Sequence, residues 1–404
     1  MAIVEPNVPM DLLVHETMAK GLVPRVVMEF PGITVGGGVQ GFAGESSSYK
    51  WGMFQNTCTS LEIVLGNGKV VTTSPSKDPN LYYGTCGSFG TLGVLTKATV
   101  QLRPAKKYVH LTYIPVYSFE EAVTTTMKYT KQANYDYIDG IMFSKNCGVI
   151  MIGTLSDAKV GKKERFLRAT DNWFYLHAQT VANKRAEYTE SIPLKDYLFR
   201  YDRGAFWVGR FPYERAHWPY NRFTRWLVDP LLHTRKLYQA LHDSGASQQY
   251  VVQDLALPVN KTVEFLNYID THFKTYPLWI CPLLLGKKWT MVRKGSPDFA
   301  INIGVWDNHP FYNYNEFVTA NRQIESKLND IGGQKWFYAH SYYTENEFWN
   351  VYNKSTYNAL RKEYHAENLP TIYEKIRTKG RKKVQIKRAS IRTLFNMTKL
   401  KIKS

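Results

Sequence analysis

The 404-residue chain carries 52 Lys and Arg against 34 Asp and Glu, a net charge of +18 with a pI near 9.5. A hydrophobic fraction of 44% with 21% charged residues excludes a disordered polar chain, and the length allows two or three domains with sizeable cores. Cys58, Cys86, Cys147 and Cys281 are widely spaced and form no C-x-x-C pair, so no disulfide framework or metal site is expected and a reducing compartment is the default.

Taken in chain order, the pattern predicts a strand at residues 2–5 and a helix over 9–20 that Gly21 closes. A strand is expected over 22–28, followed by a turn at Pro31 and Gly32. Residues 61–65 and 69–73 alternate around Gly66, Asn67 and Gly68, the signature of a tight hairpin. A strand over 94–102 ends the first block at Arg103 and Pro104. Further strands are expected at 108–115, within 139–151, and at 251–257, 278–285 and 299–306. Helices are expected at 119–132, 259–273, 314–328 and 348–364, with shorter helical pieces in the Trp-, Tyr- and Arg-rich stretch 172–242. Alternation of strands and helices reads as an α+β fold with one sheet covered by helices, and no internal repeat is visible. The expected division is 1–104, 105–374 and a basic tail, 375–404.

Twelve of the positive charges fall in that tail, which has no acidic residue, leaving +6 for the rest. No helix-turn-helix, zinc finger or RNP pattern accompanies it, so a nucleic acid partner is not expected. Ile391, Leu394, Phe395 and Leu400 add an apolar component, which favours an anionic membrane surface. The longest apolar run, 276–285, is half of the roughly 20 residues that a bilayer span requires, and no secretory signal is expected at the N-terminus.

Two glycine clusters carry the chemistry. In the first, Gly36, Gly37, Gly38, Gly41 and Gly44 would let backbone approach a ligand and offer N–H groups to a diphosphate, and Glu45, Ser46, Ser47 and Ser48 add polar groups. It is neither a Walker A loop nor G-x-G-x-x-G, and a glycine-rich turn between strands fits the composition equally well. Gly87, Gly90 and Gly93 form the second cluster, with the same ambiguity.

The ordered segments TVGG, ESSSYKWG, LEIVLGNGKVV, DPNLYYG and GTLGVLTKATVQL resemble the second half of a PCMH-type, vanillyl-alcohol-oxidase-like FAD-binding domain. More narrowly, ESSSYKWGMFQ, RPAKKYV, YVVQDLALP, YPLWICP and YTENEFW resemble the delta(24)-sterol reductase family, over a span from Val4 to Lys375. The resemblance implies a flavoenzyme that reduces a sterol side-chain double bond with FAD and NADPH, on the cytosolic face of the endoplasmic reticulum membrane. It implies flavin contacts along Thr34, Val35, Gly36, Gly37, Gly38, Val39, Gln40, Gly41, Phe42, Ala43, Gly44, Glu45 and Ser46, with backbone contacts from Gly90, Gly93 and Val94. Cys86 is expected to pack rather than to link to flavin, because these reductases hold the cofactor noncovalently. A cap after Pro104 would cover the flavin and hold the sterol. Family members begin with a membrane anchor and the first half of the FAD domain, whereas this sequence enters the pattern at the second half. Ala43-Gly44 also departs from the family, which places Gly before a larger residue. Two alternatives therefore stand beside the reductase: a PCMH-type flavin oxidase that uses oxygen, and a truncated, non-catalytic relative that binds a membrane or partner.

Saturating an isolated alkene requires a hydride donor and an acid on opposite sides of the bond. Candidates for the acid are Asp254, Tyr342 and Glu345, with Glu347 beside it. Each has a plainer role: a structural hydrogen bond for Asp254, core packing for Tyr342, and helix capping for the Glu345 and Glu347 pair behind Thr344. Trp207, Trp279 and Trp306 either line the sterol pocket or fill the core.

Overall fold

The computed structural model describes residues 1–244, 250–286, 288–308, 313–378 and 380. Residues 1–104 supply six short strands: β1 (Ala2–Val4), β2 (Leu22–Pro24), β3 (Cys58–Val64), β4 (Val70–Thr73), β5 (Val94–Val100) and β6 (Leu102–Pro104). Four of them form an antiparallel sheet in the order β1-β5-β3-β4, and β2 pairs with β6. The predicted hairpin joins β3 to β4, with Val64 opposite Val70 and Gly68 in the left-handed region at φ 82°. The strand expected over 22–28 stops at Pro24, and the chain then turns inward with Val26, Val27 and Met28 buried.

The first glycine cluster is not a loop. Val35–Gly41 is a helix whose N-cap, Thr34, accepts a hydrogen bond from Gly37 N at 3.1 Å. Four glycines in seven residues cost such a helix about 4 kcal/mol relative to alanine. Close packing explains why they are there: a Cβ on Gly36 would come within 2.7 Å of Pro6, and one on Gly38 within 2.6 Å of Met28 and 2.8 Å of Phe54.

Nine strands build the second sheet: β7 (Tyr108–Val116), β8 (Tyr137–Ser144), β9 (Cys147–Ser156), β10 (Lys162–Lys163), β11 (Tyr188–Pro193), β12 (Val251–Leu257), β13 (Leu278–Leu284), β14 (Phe299–Asp307) and β15 (Gln334–Lys335). Their order is β10-β11-β7-β9-β8-β13-β14-β12-β15, antiparallel except for β10 with β11. This topology contains a repeat that the sequence does not show. A strand–helix–strand–strand unit (β7, Phe119–Gln132, β8, β9) recurs as β12, Val259–His272, β13 and β14, and the two meet where β8 pairs with β13. Side-chain alternation then gives the sheet two faces. Ile138, Leu255, Leu278, Ile280, Ile301 and Ile303 join Phe265, Ile269 and Ile324 of the covering helices in one core. The opposite face turns Asp139, Trp279, Cys281, Trp306 and Ala256 toward the core of the first block.

The helix expected over 348–364 is two helices, Glu345–Val351 and Lys354–Glu363. Tyr352 between them is extended, and the Asn353 side chain restarts the helix by accepting from Thr356 N at 3.1 Å. The boundary expected at 375 falls inside the helix Ile372–Ile376, where Lys375 Nζ donates to Phe89 O at 2.5 Å. The apolar tail positions 391, 394, 395 and 400 lie outside the described residues. Among the described residues, no helix is long and apolar enough to cross a membrane.

Candidate active site

Two backbone segments of the first block meet the polar face of the large sheet. Residues 42–48 leave the glycine helix through Phe42, which is left-handed at φ 56°. The Glu45 carboxylate accepts from Ser46 Oγ at 2.7 Å, Ser47 N at 2.9 Å and Ser47 Oγ, while Glu45 N donates to Ser48 Oγ at 3.0 Å. Ser46 O accepts from Ile138 N at 2.8 Å, which fastens this segment to β8. Three adjacent small hydroxyl residues fit because each turns back on the backbone or the carboxylate within a buried corner. The second segment carries Glu29, buried and with Oε1 unpartnered.

Arg200 supplies the compensating charge. Its NH2 donates to Asp139 Oδ2 at 2.8 Å, and the guanidinium lies 4.1 Å from the Tyr197 ring centre. Asp139 Oδ2 also accepts from Tyr201 OH at 2.7 Å and Trp279 Nε1 at 3.2 Å. Burial raises the Glu29 pKa well above the carboxylate range, with the nearby Glu45 adding to it, and burial likewise raises that of Glu45. For Arg200, burial is the largest single influence and opposes the charge, but Asp139, Tyr197, Tyr201 and Glu29 together outweigh it and hold the guanidinium ionised.

Asp254 stands on the same face. Oδ1 accepts from Asn302 Nδ2 at 3.1 Å and Oδ2 from Trp306 Nε1 at 3.1 Å. Trp336 Nε1 donates to Asn302 Oδ1 at 2.8 Å, which fixes the direction of that amide. A Cβ on Gly304 would lie 2.8 Å from the Trp306 ring and 3.2 Å from Asp254 Oδ1, so glycine there lets the indole lie beside the carboxyl. Burial pushes the Asp254 pKa up to about 7, against the pull of the Asn302, Trp306 and Tyr338 hydrogen bonds. Tyr338 and Tyr238 are 54% and 43% exposed, yet the surrounding chain raises both hydroxyl pKa values, and the Asp254 charge adds to this. Both side chains thus reach solvent beside Asp254. Trp306 packs 5.1 Å from Trp207 and 6.1 Å from Trp279, and Phe206 stacks on Tyr201 at 3.8 Å.

The remaining sequence candidates sort by position. Among the glycines, Gly44, Gly87 and Gly93 are filled by the chain itself: a Cβ on them would meet Met53, the Phe42 ring and Ile63 at 2.7, 2.1 and 2.7 Å. Met53 and Leu283 occupy the space above Gly44, which accounts for the absence of a larger residue there. The backbone N–H groups of Val35, Gly36, Gly37 and Gly38 bond to Val8 O, Pro6 O, Thr34 Oγ1 and Thr34 O, so the expectation that they await a diphosphate is corrected. Gly41 and Gly90 do have room, with nothing nearer than 3.9 and 3.7 Å to a Cβ, whereas one on Gly37 would meet Thr34 Oγ1 at 3.2 Å. Beside them Gln40 Oε1 accepts from Gly90 N at 2.8 Å and Ser88 Oγ at 3.2 Å, with Gln40 Nε2 buried and unpartnered. Val39 is core, Ala43 packs against it, and the Val94 side chain is exposed. Phe42 packs between Trp289 and Trp336, bridging the two blocks.

Tyr342 sits with the helices on the far face of the large sheet, 6.0 Å from Phe317, and not with Asp254. Glu345 is also corrected: it is a surface residue paired with Lys354 at 3.4 Å, and Glu347 closes a capping box with Thr344. The Cys86 thiol is buried, and burial raises its pKa well above the usual range, against a nucleophilic role. Sequence reasoning misses Glu29, Asp139, Arg200, Tyr238 and Tyr338. A lone acid inside the apolar runs VVMEF and YIDGIMF is the available signal.

A family model described as FAD binding domain matches residues 1–74. Delta(24)-sterol reductase from Homo sapiens is 31% identical over 383 residues, covering 92% of this chain and 73% of that protein. The Arabidopsis thaliana protein of the same name is 30% identical over 424 residues, covering 94% and 73%. The chain belongs to the delta(24)-sterol reductase family. Cytokinin dehydrogenase 9 from Oryza sativa subsp. japonica is 30% identical over 141 residues, only 34% of this chain. As a delta(24)-sterol reductase family member with an FAD-binding domain, the chain is an FAD-dependent oxidoreductase. Its residues fit the cofactor where the glycine helix leaves room: Gly41 and Gly90 admit close approach, and the unpartnered Gln40 Nε2 is a donor for a ring carbonyl or phosphate oxygen.

Proposed function

We propose that this oxidoreductase saturates the delta(24) side-chain double bond of sterols with electrons from NADPH. Asp254 carries the proposal: a buried carboxyl that is half protonated near neutral pH, on the sheet face that looks toward the FAD-binding block. FAD held there and first reduced by NADPH would supply the hydride to the more substituted alkene carbon. Asp254 delivers the proton to the less substituted carbon, and the developing positive charge on the tertiary carbon is stabilised by the aromatic faces around Trp306 and Phe206. Tyr338, bonded to Asp254 and open to solvent, returns the proton between turnovers. The apolar faces of Trp306 and Phe206 match an apolar side chain. No nicotinamide fingerprint is present, so NADPH reaches the flavin across the cap. A place on the cytosolic face of the endoplasmic reticulum membrane belongs to the same proposal, since the substrate class is lipid-soluble.

The test is anaerobic. NADPH should bleach the flavin of the FAD-loaded protein, and a C24-unsaturated sterol should restore its absorbance with formation of the saturated product. Bleaching without recovery would refute the sterol assignment, and no bleaching would refute NADPH as donor.

A further inference from the structure

Helix Arg222–Leu227 buries none of its residues. It is nevertheless well held: Asn221 and Thr224 close a capping box, Arg222 NH2 donates to Thr170 O at 3.0 Å, and Arg225 lies 5.0 Å from the Tyr220 ring centre. These polar contacts hold the helix to the body, and its apolar side chains point away. Phe223 is 65% exposed, Trp226 48% and Leu227 55%, with Trp218 beside them at 52%. The Phe223 and Trp226 ring centres are 5.9 Å apart, so the patch is contiguous. This inverts the ordinary surface helix, which turns its apolar side inward.

Charge identifies the occupant. From 215 to 228 the sequence contains Arg215, His217, Arg222 and Arg225 and no acidic residue. The flanking acids are already engaged: Glu214 with Arg210 at 2.7 Å, and Asp229 with Arg203 at 2.7 Å. Exposed Trp, Phe and Leu in a stretch of net positive charge match the headgroup region of an anionic bilayer, where rings lie at the interface and basic charge is attracted by the surface potential. We propose that residues 218–227 are a membrane-docking surface that inserts Trp218, Phe223, Trp226 and Leu227 among anionic lipid headgroups. The surface lies close in the chain to the residues beside Asp254. His233 Nδ1 lies 2.5 Å from Asp202 and its Nε2 lies 3.2 Å from Asp229, and helix Thr234–Ser244, starting at the next residue, carries Tyr238. Docking here therefore brings those residues near the lipid from which an apolar substrate would come. That last clause rests on the reductase reading, whereas the docking surface does not.

The experiment uses the full chain and vesicles of phosphatidylcholine with or without phosphatidylserine. Tryptophan fluorescence of the wild-type protein should be quenched by brominated lipid in the anionic vesicles. The Phe223→Ser/Trp226→Ser variant should partition at least about tenfold more weakly, at an unchanged thermal midpoint. A variant with Arg381, Lys382 and Lys383 changed to alanine should keep a quenching signal. Wild-type sedimentation without quenching would overturn the proposal. So would a double variant that binds as wild type, or a patch-dependent dimer in ultracentrifugation without vesicle binding.

Discussion

Replacing Asp254 by asparagine probes the proposed acid with little change of shape. A pKa moved from 3.8 to about 7 means that the ionised carboxyl costs about 4 kcal/mol more in the folded chain than in water. The protonated fraction is then about 0.9 at pH 6, about 0.5 at pH 7 and about 0.1 at pH 8, so alkene reduction should fall about fivefold from pH 7 to 8 and about tenfold per unit beyond. A carboxamide in its place has no acidic proton to give. Reduction by Asp254→Asn should drop about 10²- to 10⁴-fold and lose that pH limb, while anaerobic flavin reduction by NADPH stays within about threefold. The same shift has a stability consequence. Because the folded carboxyl binds a proton more tightly than the unfolded one, its contribution is favourable at low pH and is lost as pH rises from about 4 to about 7. Urea titrations should show the wild type losing stability across that window and the asparagine variant losing less. A variant that reduces the alkene at wild-type rate with the wild-type pH profile would refute the assignment.

Four further outcomes follow from the same geometry. Trp306→Phe removes the 3.1 Å donor that lowers the Asp254 pKa, so the falling limb of the pH–rate profile should move to higher pH. Glu29→Gln removes a buried carboxyl whose folded pKa is raised, so in thermal melts it should stabilise the protein above about pH 5 and flatten the stability loss with rising pH. Gly41→Val has open room, with only Phe89 at 3.9 Å, and should weaken FAD binding measured by fluorescence while the fold survives. Gly38→Val would meet Met28 and Phe54 and should instead cost about 1–3 kcal/mol of stability in urea melts.

Strands of the large sheet are legible because burial on two faces leaves apolar runs: the expected 278–285 runs one residue past β13, and the expected 251–257 is β12, interrupted only by Gln253 and Asp254. Helix 119–132 is equally plain, with Ser118 at its N-cap and Ala133 left-handed at its end. The glycine helix is not, because local propensity argues against it and only contacts with Pro6, Met28 and Phe54 require it. The duplicated strand–helix–strand–strand unit is hidden because packing preserves topology while permitting different apolar residues at each position. At the site, Asp254 is legible as a candidate, whereas its partners Asn302, Trp306 and Tyr338 lie 48 or more positions away and only the fold brings them together. The rejected acids fail for local reasons. Glu345 occupies the first turn of a surface helix, and Tyr342 falls on the wrong face of the sheet.

The most direct measurement is product analysis by mass spectrometry after FAD-loaded protein, NADPH and a C24-unsaturated sterol are incubated anaerobically. A product two hydrogens heavier, formed only with FAD present and abolished in Asp254→Asn, is the expected result. Unchanged sterol from flavin-loaded protein that instead consumes oxygen and releases peroxide when air is admitted would contradict it.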